Sequence, residues 1–280
     1  MKKVFMFFKK KKSWPQLVWK LVRANYFISI IAVIILFVGL IAAYKLLSTE
    51  DEYIYAKIKI SQGLWWANTT KPAVWMVDAI KKGDVEVSLS GKPTIEVLEV
   101  RNYPWWSENE HIIYVIARLK VSKNEKTGEY SFKRSSVSVA SPIDLELQQI
   151  HVSGVVMDFS EKPFKNNSVE KTITIFKEGA YSWEGDAMQV GDNFFNGEEK
   201  VLEITDIDIE PSYQIYSSIG NNYPIEQEQK INIKVKAKVR VEIRGDRIVF
   251  GDEQSLKLGK TFNVSTSKFA LTNFKITSIE

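Results

Sequence analysis

The feature that most restricts this chain is that part of it is written twice. Trp75-x-x-Asp78-Ala79-Ile80-x-x-Gly83-Asp84 returns as Trp183-x-x-Asp186-Ala187-Met188-x-x-Gly191-Asp192, displaced by 108 positions. Further on, Val97-Leu98-Glu99-Val100 is matched to Val201-Leu202-Glu203-Ile204, and Ile113, Val115, Ala117, Leu119 and Val121 to Ile233, Val235, Ala237, Val239 and Val241. Phe132 answers Phe250, the run starting at Val137 answers the run starting at Leu256, and Val152 answers Leu271. The order is kept while the offset drifts to about 120, as loop insertions allow, because loop-closure entropy grows only with the logarithm of length. The sequence therefore predicts two copies of one domain, at about 54–159 and 169–280. Ser160–Ser168, with its Pro and Asn residues, is the linker.

Inside each copy the period is that of strands. In Ile231–Ile243 seven apolar residues alternate with six polar ones without error, the pattern of a half-buried antiparallel strand. Looser runs of the same kind include Tyr55–Ile60, Ile95–Val100, Ile112–Val121, Val152–Phe159 and Ser255–Val264. Gly83 and Gly191 are expected at positive φ, ending a single helical turn capped by Asp78 or Asp186. Gly154 and Asn273 are expected to repeat one left-handed turn. The expected fold is mainly β: an N-terminal single transmembrane α-helix followed by two tandem, duplicated small β-barrel or β-sandwich domains.

The transmembrane expectation comes from charge. Residues 1–23 carry eight basic side chains and no acid; removed from the net +4, they leave residues 24–280 at −4. Ala24 to Tyr44 holds no charge, and Tyr26–Tyr44 is almost wholly apolar. About 20 helical residues span the hydrocarbon core, so 24–47 is read as an uncleaved anchor and 1–23 as a basic cytoplasmic tail. Aromatic rings at Tyr26, Phe27 and Tyr44 sit at its ends. This orientation makes the protein single-pass in the cell membrane, with its C-terminal domains extracytoplasmic and membrane lipid among its partners. The tail mixes apolar and basic residues, which suits an anionic leaflet or simply sets topology.

The first copy also carries Asp78-Ala-Ile-Lys-Lys-Gly-Asp84, Gly91 with Glu96-Val97, Ser141-Pro142-Ile143-Asp144-Leu145, and Val152-Ser-Gly154-Val-Val-Met-Asp158. In these segments it resembles a bacterial family of single-pass membrane proteins, catalogued as a domain of unknown function, in which a transmembrane helix precedes an extracytoplasmic β domain. The match covers about 54–159 and departs at Ala140, where the family has Gly. The second copy matches less, with Gly259-Lys260-Thr261 in that segment. The resemblance implies an anchored β domain of bacterial origin and implies no activity.

Residues able to do chemistry are sparse. Zero cysteines exclude disulfides, zinc-thiolate sites and thiol nucleophiles. Of the two histidines, His111 lies beside Glu110 and His151 in a strand run. Ser265-Thr-Ser-Lys268 has the spacing of penicillin-binding enzymes but falls between strands, where that chemistry does not work. Asp206, Asp208 and Glu210 share one strand face, as solvated carboxylates do. No catalytic, cofactor or metal site is expected, and the net acidic body disfavours nucleic acid. Asn-x-Ser/Thr sequons stand at Asn68, Asn166 and Asn263. Two features suggest a partner surface: the basic stripe Lys234, Lys236, Lys238, Arg240, and the paired tryptophans Trp65, Trp66, Trp105, Trp106 that the second copy lacks. The expected function is that of a non-enzymatic interaction or scaffold component of a cell-envelope or secretion assembly. Its expected partners are other envelope proteins or further copies of itself, and the alternative is an oligomeric accessory subunit of a transport or efflux system.

Overall fold

A computed structural model describes residues 26–48, 52–61, 71–88, 91–104, 110–218 and 221–280. They fall into two units, Met1–Asp51 and Glu52–Glu280. The first contains the 23-residue helix α1 (Tyr26–Ser48). Side chains at 28 and 43–48 are not among those described, and over the described residues no helix is long and apolar enough to cross a membrane.

The second unit is built almost wholly of strands. Its first half contains β1 (Glu52–Ser61), α2 (Val74–Ala79), β2 (Val85–Val87), β3 (Pro93–Pro104), β4 (His111–Lys123), β5 (Tyr130–Phe132), β6 (Ser135–Val137), β7 (Pro142–Glu146) and β8 (His151–Ser160). The second half contains β9 (Ser168–Tyr181), α3 (Ser182–Asp186), β10 (Asn193–Phe195), β11 (Lys200–Ser218), β12 (Asn221–Arg244), β13 (Arg247–Phe250), β14 (Gln254–Leu256), β15 (Thr261–Ser265) and β16 (Ala270–Ile279). The first sheet runs β2-β3-β4-β1-β8-β7 with β5 and β6 continuing from β4; the second runs β10-β11-β12-β9-β16-β15 with β13 and β14 continuing from β12. The two orders are the same order, element for element. Each sheet curls around its own core, Ile54, Ile58, Val115, Leu119 and Leu145 in the first and Ile173, Ile175, Val235, Phe262 and Phe274 in the second.

The repeat extends to individual hydrogen bonds. Gly83 N donates to Val97 O and Val97 N to Asp84 O, each at 2.8 Å; Gly191 N donates to Ile204 O and Ile204 N to Asp192 O, again at 2.8 Å. The carboxylates of Asp84 and Asp192 accept from the amides of Lys81 and Gln189, both at 2.8 Å. Gly83 (φ 88°) and Gly191 (φ 96°) occupy the left-handed region, as the sequence predicts. A second shared loop joins Ala140 N to Val156 O and Gly259 N to Ile276 O, each at 2.8 Å, with φ 70° at Ala140 and 77° at Gly259.

Three expectations need correcting. Val97 corresponds to Ile204 rather than Val201: Val97 lies opposite Ala117 and Ile204 opposite Ala237, each followed at once by a bulge. The sequence match had slid by three because Val-Leu-Glu recurs out of register. Asp78 and Asp186 do not cap: they sit at the C-terminal ends of α2 and α3, whose N-caps are Ala73 and Tyr181, and the turn-closing carboxylates are Asp84 and Asp192. Gly154 is not left-handed, whereas Asn273 is, with φ 62°. A Cβ on Gly154 would lie 2.6 Å from Ile58 Cγ2 and 2.8 Å from Lys59 O, so glycine is there because β1 crosses too closely for a side chain.

Candidate interaction surface

The two copies differ in what covers the outer face of their central strand. In β12 burial alternates, with Ile233, Val235 and Ala237 inward and Lys234, Lys236 and Lys238 exposed. In β4 every residue from Ile112 to Ala117 is buried, so both faces are covered, and the sequence there is accordingly a continuous apolar run. Tyr103, Ile112 and Tyr114 of the first copy belong to the hydrophobic cluster of the second. The Tyr103 ring meets Phe194 at 6.3 Å, Phe250 at 5.9 Å and Tyr114 at 6.1 Å, and its hydroxyl accepts a 3.0 Å bond from Asn196 Nδ2. Asn102 N donates to Asn196 O at 2.8 Å. Beside it, Gly197 leaves no room for a Cβ, which would stand 2.9 Å from Val100 O.

A charged layer flanks this apolar joint. The Asp252 side chain, 1% exposed, takes Lys57 Nζ at 2.5 Å and Arg244 Nη2 at 2.8 Å. Lys59 meets Glu253 at 2.5 Å and Arg101 meets Glu242 at 3.3 Å, with Glu99 bonded to the Arg101 Nε. Burial by itself would lower the Arg101 pKa, but the hydrogen bond to Glu99 and the charges of Glu99 and Asp252 outweigh it and raise it, so the guanidinium stays cationic. Burial pushes the phenols of Tyr103 and Tyr114 upward. The Tyr114 hydroxyl is buried beside Glu253 without a well-formed hydrogen bond. Lys57, Arg101 and Arg244 balance Glu99, Glu242 and Asp252, so the layer is neutral as a whole and serves to fix the register of the joint. A cleft of about 340 Å3 remains between the copies, walled by Tyr103, Pro104, Ile112, Phe194, Phe250 and Val264.

The basic stripe is not a free positive surface. Lys234, Lys236 and Lys238 stand directly opposite Asp208, Asp206 and Glu203 on β11. Lys238 also meets Glu170 at 3.3 Å, and Arg240 meets Glu199 at 2.7 Å. A lysine beside Glu203 adds to this balance: the hydrogen bond and charge of Lys200 hold the Glu203 carboxyl below its usual pKa. The stripe and the carboxylates of Asp206 and Asp208 are thus two sides of one charge ladder, while Glu210 lies opposite Asn232. Where Tyr114 and Ile116 invite a neighbour, the corresponding Lys234 and Lys236 offer a polar end face, as terminal repeats do.

Trp75 and Trp183, retained in both copies, are 57% and 64% exposed in the first turns of α2 and α3; the inward residues of the repeat are Ile80 and Met188. Trp183 stacks on Tyr181 at 6.3 Å, and Lys230 Nζ lies 3.1 Å from the Tyr181 ring centre. Trp65, Trp66, Trp105 and Trp106 lie outside the described residues. Ser265–Lys268 forms a bend in which Thr266 Oγ1 accepts from the amides of Lys268 and Phe269, not a helix start. Among the described residues no group of three or more His, Asp or Glu is placed to hold a metal.

One surface was not singled out in the sequence. Beyond Pro211/Ile231 the β11–β12 hairpin continues as a two-stranded arm, from Tyr213↔Glu226 to Ser218↔Asn221. Among the described residues of the first copy there is no counterpart, the β3–β4 ladder ending at Pro104↔His111. Tyr213, Ile215 (69% exposed) and Ile225 stand in solvent on this arm. Ile215 pairs with Pro224 and Gln214 with Ile225, which puts the two isoleucines on opposite faces. The signal available beforehand was Pro211–Ile225, fifteen residues without a charge in a body that is 26% charged overall. Compared with known proteins, the chain matches no family model, no curated sequence and no solved structure.

Proposed function

We propose that this chain is a non-enzymatic, single-pass membrane-anchored protein whose β body lies outside the cytoplasm and serves as an interaction or scaffold component of a cell-envelope or secretion assembly. Support for the anchor is the chargeless apolar run within α1 behind a tail of eight basic residues. The observation that carries the reading is the arm, a ribbon without charge from Pro211 to Ile225 and with apolar side chains on both faces, held out by a body whose two copies are locked together. Exposed apolar surface of this kind marks contact sites, while the other chemistry-bearing groups are engaged in a balanced ladder and joint. A second reading, an oligomeric accessory subunit of a transport system, is favoured by the free strand edges of the same arm.

The test excises Tyr213–Glu226, closes the hairpin with an Asn-Gly turn, and runs both forms from mild detergent on native gels. The intact chain should migrate in a larger assembly and the shortened one alone, with unchanged melting temperature. Identical migration of both as single chains would remove the proposal. Protease added outside cells should digest the body; a body that survives while an external marker is cut would remove the placement.

A further inference from the structure

We infer that the outer edge of β11 in the arm, Tyr213–Ser217, pairs antiparallel with the same edge of a second copy of this chain. The inference rests on reading the arm as the contact element, and it names the partner. Strand β10 covers β11 only over Lys200–Glu203, and β9 reaches β12 only from Lys230 onward. Among the described residues no strand is therefore paired with the outer edge of β11 in the arm. Natural sheets protect such edges with charges, prolines or bulges. The β12 edge has Pro224 within the arm, and on β11 Pro211 and a bulge at Ser212 guard the base of the arm, whereas Tyr213–Ser217 has no proline, charge or bulge.

The missing protection selects the occupant. A lipid interface leaves strand edges without hydrogen-bond partners, which apolar surroundings penalise severely, so lipid suits the faces and not the edge. Another strand satisfies the edge in full. The segment is compatible with itself: centred on Ile215, a two-fold antiparallel pairing sets position 214 opposite 216 and 213 opposite 217, with no like charges meeting. Five paired positions make a small interface, so association is weak in solution and is raised by confinement of both chains to one membrane.

The chain has no cysteine, so an introduced thiol reports by itself. Directly opposed residues of an antiparallel pair have Cα atoms about 4.5 to 5.5 Å apart, within disulfide range. Two β12 strands flanking the new pair would be separated by about 14 Å, three strand spacings. Full-length I215C, I225C and T205C, each in native membranes, are treated with copper phenanthroline. Disulfide dimer should form in I215C at least ten-fold faster than in the other two. I215K should lose the dimer band on native gels, with a melting temperature equal to that of T205K. Equal rates at all three sites, or no I215C dimer, overturns the inference. Quenching of a fluorophore at residue 215 by spin-labelled lipid also overturns it and identifies lipid as the occupant. If a large assembly survives while I215C fails to cross-link, the arm keeps its contact role with a different partner.

Discussion

Ala140 holds φ at 70° where the second copy has Gly259 at 77°, in a loop with the same hydrogen bonds. A left-handed alanine costs about 1 kcal/mol through its Cβ. Ala140→Gly should therefore raise the melting temperature of the body by about 2 to 4 °C in calorimetry, and Gly259→Ala should lower it by a similar amount. A second prediction concerns Tyr103 and Tyr114. Their folded pKa values are raised by burial above the unfolded value of about 10. The folded state therefore holds more protons at high pH, and the stability these neutral phenols contribute is fully present below pH 10 and lost as pH climbs above it. Unfolding free energy measured in urea should fall by about 1.4 kcal/mol per pH unit for each phenol above pH 10. In Tyr114→Phe the slope should be about half as steep; an unchanged slope would mean that Tyr114 is accessible to water.

At the scale of elements, the strands and their duplication were legible because a half-buried sheet writes its pleat into the sequence. The alternation became the inward and outward sides of β12 from Ile233 to Val241, while Ile243 at its end is exposed. The register of β3 against β11 was not legible, since a bulge shifts pairing without altering composition, and the Val-Leu-Glu recurrence pointed three residues away. The joint was half legible. The unbroken run Ile112–Ala117 differs from the alternation of β12 because β4 is covered on both faces, but Tyr103 and Tyr114 look like any strand aromatics until Phe194 and Phe250 are placed against them. The motif tryptophans recur in both copies, yet Trp75 and Trp183 are exposed, so recurrence at these positions did not mark the core. Glycine at 154 is an element-level constraint too. Gly154→Ala should destabilise the body by about 2 kcal/mol, the overpacking range. Because one close contact is the backbone oxygen of Lys59, Gly154→Ala should still destabilise when added to Ile58→Ala, which lacks the Cγ2 atom. No added loss in urea titrations would show that the side-chain contact alone mattered.

For the whole molecule, the account describes two copies of one β domain made into a single body. The outer face of β4 in the first copy is buried by the second, Asp252 and its cationic partners fix the alignment, and the equivalent face of the second copy ends the series with a charge ladder. Tyr213, Ile215 and Ile225 of the arm are among the apolar residues that stay exposed, and the locked body is what gives the arm a defined position. The most direct test is a spin–spin distance measurement on the full chain labelled at Ser136→Cys and Thr205→Cys, one exposed strand residue in each copy. The account predicts one narrow distance distribution that broadens when Tyr114→Lys is added. A broad distribution in the otherwise unchanged chain, the same with and without Tyr114→Lys, would contradict the locked joint and remove the basis for a scaffold.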